Sequence, residues 1–374
     1  MRFATLLALG ASLISHVVES KTVVGYLPSW KHQYTKDVNY SKYTHINVAF
    51  GIPSEDGSFS FEGDWFLPEV VSDIHSKGPK VLMSVGGWSG SNYLSNILKN
   101  SSTRDKFLNS ITDYVRQYHL DGIDIDWEYP GREGNAGNAI DPQNDTPNFL
   151  KFLQDLRTKF DSSFGGEHKL ITLAVRVQPF DGPSGPVADV SEFAKVVDFA
   201  NLMQYDISGA WLKNTGPNAP FNYDKAKGEP FSFVSAINAW TSAGWPASQL
   251  NAGLAFYGRA TTALVDMTQD PNNQYQPQSQ TLPQGDKEDA PWGGSYSGVW
   301  QYKNLRAQSV LGSPESAAKP WVRQWDDITM TPWLFNPSDK MFISYDDTRS
   351  IGVKAKYAEE RGLGGLMVWT INMD

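Results

Sequence analysis

Short apolar runs alternate along the chain with stretches whose apolar residues recur every three or four positions. Val23 to Leu27, Thr44 to Phe50, Lys80 to Val85, Gly122 to Trp127, Leu170 to Val177, Phe199 to Tyr205, Asn251 to Phe256 and Leu366 to Thr370 are predicted as eight strands. Helical periods lie between them. Ser102 to Tyr118 brings Phe107, Ile111, Tyr114, Val115 and Tyr118 to one face, with Ser102 and Asp105 placed as a capping pair. Thr146 followed by Pro147 opens another helix, with Phe149, Leu153, Leu156 and Phe160 on its apolar side. Repeated strand–helix units predict a parallel sheet, and eight of them in this length favour an α/β fold of the closed (β/α)8 TIM-barrel type over a doubly wound sheet. The turn Val85-Gly86-Gly87-Trp88 lacks the dinucleotide fingerprint, which also disfavours the open sheet. Chemistry is then expected in the loops that follow the strands.

The rhythm breaks between Thr261 and about Lys340, where Gln, Asn, Pro, Gly and Trp abound without a helical period. So long a stretch is expected to be a small α+β subdomain inserted between strand 7 and helix 7. Trp292, Trp300, Tyr302, Trp321, Trp325 and Trp333 argue against a disordered insert. The barrel then comprises residues 21–260 and 341–374, and the insertion 261–340. Only Thr370 to Asp374 follow the last strand, so either the final helix is missing or truncated, with Leu366 and Val368 covered by a loop, the neighbouring helix or the N-terminal region, or the natural chain continues past Asp374.

Arg2, the apolar run Phe3 to Ile14 and the compact residues Val18-Glu19-Ser20 form the pattern of a signal peptide over residues 1–20. The run is too short to span a bilayer as a helix, so a secreted, extracellular protein without a membrane partner is expected. Three sequons, at Asn39, Asn100 and Asn144, would be usable in a eukaryotic secretory route. A formal charge of -9 argues against a nucleic-acid surface. The absence of cysteine removes disulfides, thiolate metal sites and cysteine nucleophiles together.

One strand carries an unusual polar face. In Asp121 to Pro130, Asp124, Asp126 and Glu128 sit two apart while Ile123, Ile125 and Trp127 fill the alternate positions. Strand side chains alternate faces, so the acids share one face at spacings of roughly 7 Å. Like charges in a row oppose folding, and crowded carboxylates cannot all ionise, so one retains a proton near neutral pH as a general acid requires. A calcium loop would need polar spacers and a glycine where isoleucines and Trp127 stand. The His residues offer no ligand pair or triad, so neither a metal nor a cofactor is expected.

The row Asp121, Asp124, Asp126, Glu128 resembles the DxxDxDxE signature of glycoside hydrolase family 18, the chitinases and their relatives. Ser84-Val85-Gly86-Gly87 resembles the family's SxGG, Met203-Gln204-Tyr205-Asp206 its MxYD and Tyr257-Gly258-Arg259 its YGR, with Trp369 in the eighth strand completing the set. The resemblance covers about residues 23 to 374, with the motifs in family order at separate strand ends. The fifth strand departs from it, because Ala174-Val175-Arg176-Val177-Gln178-Pro179-Phe180 is bulkier than the small-residue segment expected there.

The resemblance implies a monomeric chitinase acting on chitin or chitooligosaccharides. It cleaves β-1,4 links between N-acetylglucosamine units with retention, the substrate's acetamido oxygen serving as nucleophile. In that scheme Glu128 protonates the leaving oxygen, Asp126 orients the acetamido N–H and stabilises the oxazolinium ion, and Asp124 supports the charge distribution beneath. Tyr205 donates its hydroxyl to the acetamido group, and Asp206 and Arg259 hold sugar or neighbouring polar groups. Trp369 forms the floor for the reacting sugar. Met203, Trp88, Trp211, Trp30, Phe50, Tyr26, Tyr129 and Gly87 are further candidates for sugar contact, with core packing the alternative for the aromatics. Gly86 and Gly87 either admit close backbone approach or make a tight turn. Ser84, Gly86 and Asp121 are expected to be structural, Asp121 having the opposite strand parity and tying the strand's start to adjacent backbone. Two other readings share these residues: a non-catalytic chitin-binding lectin, which should lack the terminal acid, and an endo-β-N-acetylglucosaminidase on N-glycans. A Trp-rich mouth and the insertion favour a long linear polymer.

Overall fold

Eight parallel strands close on themselves in the computed structural model, which describes residues 21–291 and 293–374. They are β1 (Thr22–Pro28), β2 (His45–Pro53), β3 (Lys80–Gly86), β4 (Gly122–Asp126), β5 (Leu170–Val175), β6 (Phe199–Leu202), β7 (Leu250–Ala255) and β8 (Gly365–Trp369). Each pairs with the next, and β1 pairs with both β2 and β8, which completes the TIM barrel. The signal-peptide expectation on residues 1–20, and Trp292, lie outside the described residues.

Alternation sorts the strand residues into two cores. Val24, Tyr26, Ala49, Ala174, Phe199, Ala255 and Met367 pack inside the barrel. Ile46, Val48, Val81, Val85, Ile123, Ile125, Ile171 and Leu173 point outward into the larger cluster shared with the helices. Three strands are tied at their starts by one device. The residue just before β2, β4 or β6 accepts the second backbone N–H of the preceding strand: Thr44 from Val23 at 2.8 Å, Asp121 from Val81 at 2.7 Å and Asp198 from Ile171 at 2.8 Å. Asp121 thereby sits at the opposite end of β4 from Glu128.

The predicted strands begin within a residue of the observed ones but end one residue late at β4, β7 and β8 and two to three residues late at β5 and β6. Trp127, Val177 and Tyr205 lie past the ladder, where the chain turns out to form the mouth. Phe107, Ile111, Tyr114, Val115, Phe149, Leu153, Leu156 and Phe160 are buried on their helices, Ser101–Gln117 and Asp145–Ser163. The cap of the first of these was misread. Asn100, in extended conformation, accepts from Ser102 N–H at 2.9 Å, so Ser102 is inside the helix and does not cap it with Asp105. The first unit also departs from strict alternation, β1 being followed by the 3-10 turns Ser29–Tyr34 and Tyr40–Lys42.

The insertion is a subdomain of five antiparallel strands, ordered Val299–Gln301, Tyr257–Thr262, Met341–Ser344, Thr331–Asn336 and Val322–Asp326, with the helix Tyr302–Ala307. Its limits are wider than 261–340, because Tyr257–Thr262 and Met341–Ser344 are themselves sheet strands, paired Arg259 to Ser344 through Thr262 to Met341. Trp300 and Trp333 are buried in subdomain cores, and Trp321 packs against the Trp300 cluster. These three indoles hold the insertion together and are not part of a Trp-rich mouth. Lys31 and Tyr34, in the loop after β1, meet Glu288 of the insertion at 2.9 and 3.0 Å.

Past β8 the described chain forms the 3-10 turn Ile371–Met373. Val368 is nonetheless buried, and Leu366 packs against the outer cluster together with Ala358, Leu363 and Ile371. The preceding helix, Thr348–Glu360, and this turn cover the outward face of the last strand.

Candidate active site

β4 brings its acids inward because Ile123 and Ile125 claim the outer core. Asp124 is completely buried. Its Oδ2 accepts from Tyr26 at 2.8 Å and Ser84 at 2.7 Å, and its Oδ1 accepts from Thr172 at 2.6 Å. Burial raises its proton affinity while these hydroxyls pull it back. Asp126, next along the row, is also buried, and its Oδ1 has no hydrogen-bond partner. Burial and the like charges of Glu128 and Asp124 push it well above the usual carboxylate range. Glu128 stands half-buried just beyond the strand, where burial lifts its carboxyl to about 7, opposed by the Tyr129 hydroxyl and reinforced by Asp206. Proton affinity is thus divided along the row: a hydroxyl-held acid at the base, a proton-retaining acid above it, and at the mouth an acid poised to give up its proton near neutral pH.

The end of β3 supports this row from one side. Gly86 and Gly87 both have positive φ. A Cβ on Gly86 would lie 2.2 Å from the Asp126 carbonyl oxygen, and the Gly87 N–H donates to that same oxygen at 2.8 Å. A Cβ on Gly87 would meet the Phe50 ring at 2.9 Å. The two glycines therefore admit close approach of the acid strand and of Phe50. Ser91, in the following turn, accepts the Glu128 N–H at 2.9 Å and donates to Gly87 O at 2.9 Å.

The β6 end forms the opposite wall. Tyr205 is buried, its hydroxyl 3.7 Å from the Met367 sulfur, and Met203 lies half-buried beside the same cluster. Asp206 takes a left-handed backbone conformation and accepts from Arg259 Nε at 2.6 Å and from the Tyr257 hydroxyl. Partial desolvation works to raise Asp206, whose side chain is still 42% exposed, but Arg259 and the two hydrogen bonds hold it below the ordinary carboxylate range. Its N–H donates to Asn218 Oδ1 at 3.0 Å. The Arg259 guanidinium lies 5.0 Å from the Trp211 ring centre.

Aromatic groups continue outward from the floor. Trp369 lies 5.4 Å from Tyr26 and nearly parallel to Phe50 at 5.7 Å, and Trp30 follows Phe50 at 6.2 Å. Trp30, Trp88 and Trp211 expose 54%, 50% and 49% of their surface, which removes core packing as their reason for being there. The bulky segment after β5 has a local use: the Arg176 guanidinium sits 5.8 Å from the Tyr129 ring and donates to Asp181 and Gln178 at 2.9 and 2.7 Å.

The structure therefore gathers Tyr26, Asp124, Asp126, Glu128, Tyr205, Asp206, Arg259 and Trp369 around one mouth and leaves Asp121 at the far end, bound to Val81 N–H and His75. Ser84, expected as structural, donates directly to the row. Thr172, Ser91, Tyr257 and Asn218 also reach the row or Asp206 and were missed as site residues. Strand parity places Thr172 inward, two residues before Ala174. For Ser91 and Asn218 the sequence holds no comparable signal, because each sits in a loop and its bond spans 37 residues for Ser91 and 12 for Asn218.

Comparison with known proteins adds an independent line. The family described as Glycosyl hydrolases family 18 matches residues 22–374. A chitinase-like effector of Moniliophthora roreri is 34% identical over 92% of this chain and 87% of its own length. Chitinase A1 of Niallia circulans is 31% identical over 96% of this chain, which spans 57% of that relative. A crystal structure of a chitinase from Rhizomucor miehei superposes with a TM-score of 0.86 at 37% identity, covering 95% of this chain and 96% of that one.

Proposed function

This chain belongs to glycosyl hydrolases family 18, and we propose that it is a secreted chitinase that cleaves chitin and chitooligosaccharides with retention by substrate-assisted catalysis. The observation that carries the reading is the inward acid row, with Asp126 and Glu128 both held above the ordinary carboxylate range and Glu128, at about 7, standing at the mouth. A sugar resting on Trp369 presents its acetamido group toward Tyr205 and Asp126. Glu128 gives its proton to the leaving glycosidic oxygen as the acetamido oxygen attacks the anomeric carbon. Asp126 turns to accept the acetamido N–H and stabilises the positive oxazolinium ion, and Asp124 beneath supports the charge. Glu128, now a carboxylate, takes a proton from the water that opens the ring. Asp206 and Arg259 hold sugar hydroxyls or neighbouring polar groups, and Trp30, Trp88 and Trp211 offer faces for further sugars.

The exposed sequons at Asn39, Asn100 and Asn144 are compatible with N-glycosylation along a secretory route, and we take the enzyme to act as a monomer. The name chitinase-like effector, borne by one relative, keeps a binding-only role in view; the intact row through Glu128 favours catalysis in this chain. Product analysis on chitohexaose and on a high-mannose glycopeptide tests the reading. Short chitooligosaccharides from the first and no cleavage of the second are expected. Cleavage of the glycopeptide alone would make the protein an endo-β-N-acetylglucosaminidase, and binding without cleavage a lectin.

A further inference from the structure

The deepest acid of the row is gripped from three neighbouring strands. Register places Ser84 of β3 opposite Asp124 and Asp124 opposite Thr172 of β5, so the three inward side chains stand side by side. Ser84 and Tyr26 both donate to Oδ2, and Thr172 donates to Oδ1 at 2.6 Å. Thr172 is fully buried and makes no other side-chain hydrogen bond among the described residues.

The groups facing Asp124 are Tyr26 from β1, Asn47 from β2, Ser84 from β3, Asp126 on its own strand and Thr172 from β5, with Tyr205 from the β6 end beyond Tyr26. Asn47 is buried with its amide atoms free of any hydrogen-bond partner among the described residues, though near enough to Asp124 to favour its anion. None of these groups is a cation, so an ionised Asp124 rests on neutral donors. Two of those donors share one oxygen, and Thr172 serves the other.

We propose that Thr172 is a positioning residue of the acid row: its hydroxyl holds Asp124 in place as the anion beneath Asp126, the acid that turns toward substrate. The proposal rests on the chitinase reading for its effect on catalysis. A hydroxyl bonds a carboxylate more strongly than a neutral acid, so losing it raises the proton affinity of Asp124 at the base of the row. Burial already favours the neutral form of Asp124 in the folded protein. Ionisation of this group therefore weighs against the fold as pH rises above its unfolded value, and removal of a donor to the anion enlarges that loss.

Thr172→Val exchanges the hydroxyl for a methyl at nearly constant shape, and Thr172→Ser returns it. With chitohexaose, T172V is expected to lower kcat about tenfold with little change in KM and to move the acidic limb of the kcat/KM profile up by about one pH unit. T172S should restore both. Independently of catalysis, the Tm gap between wild type and T172V should widen from about pH 4 to about pH 7. A gap that stays constant with pH, or a T172S limb displaced as far as that of T172V, overturns the proposal. Should T172V fail to fold, Thr172→Ala removes the same hydroxyl without adding volume and is judged by the same comparisons. If the wild type leaves chitohexaose uncut, the chitinase reading falls while the Tm comparison still decides the role of Thr172.

Discussion

Glu128 is the residue on which the chemistry turns. Glu128→Gln keeps the shape and hydrogen-bonding reach of the side chain but removes the transferable proton. Hydrolysis of chitohexaose should fall by about a hundredfold or more while oligosaccharide binding, read by calorimetry, stays largely intact. Near-normal turnover would remove Glu128 from the mechanism. Because Glu128 must carry its proton, and burial lifts it to about 7, kcat/KM should decline above about pH 7 as that proton is lost. A profile flat to pH 9 would show that the mouth does not hold Glu128 as described. The acid row was legible in the sequence because its period of two is a property of a single strand. Thr172, Ser84 and Tyr26 act on Asp124 from other strands, and a bond of that kind depends on register, which alternation within one strand does not encode. Parity within β5 sets Thr172 on the same face as Ala174, but only the pairing of β4 with β5 puts it on Asp124.

At the scale of elements, the strands carry their own terminal clamps. Asp198 is the most heavily used, accepting from Ile171 N–H, from Arg157 at 2.8 Å and from His168 at 2.6 Å. Asp198→Ala should therefore cost about 2 kcal/mol in denaturant unfolding, since a backbone donor and a charged side chain lose their acceptor together. A loss below about 0.5 kcal/mol would mean that water replaces the clamp without penalty. Strand existence and order were readable from apolar runs bounded by turns. Strand ends at the mouth were not, because Val177 and Tyr205 keep strand-like composition after the chain has left the ladder to serve the site. The cap at Asn100 was misread for a related reason: Ser102 and Asp105 fit the spacing of a capping box, but a short helix ends at Lys99 and leaves Asn100 extended at the junction.

Across the whole molecule, the insertion is tied to the barrel mouth at several points. The insertion begins directly after β7 and supplies Tyr257 and Arg259 to Asp206, while Glu288 ties it to the loop that carries Trp30. Thr262 and Met341 are paired neighbours on antiparallel strands, so residues 263–340 can be replaced by a short turn that closes a hairpin and keeps Arg259. Such a variant, if folded, should bind chitohexaose about tenfold more weakly or worse while retaining some hydrolysis. Unchanged affinity and product lengths would make the insertion peripheral. The sequence revealed the insertion by its broken period, yet placed its edges too narrowly, because Tyr257–Thr262 and Met341–Ser344 read as barrel and pair as subdomain.

In the proposed mechanism the substrate's acetamido oxygen attacks while Glu128 serves first as acid and then as base. Proton NMR of chitohexaose during the first moments of cleavage reads the outcome directly, before mutarotation blurs it. The newly formed reducing end is expected to be the β anomer. An initial α anomer would mean that water displaces the leaving group in one inverting step, and would rule out attack by the acetamido oxygen.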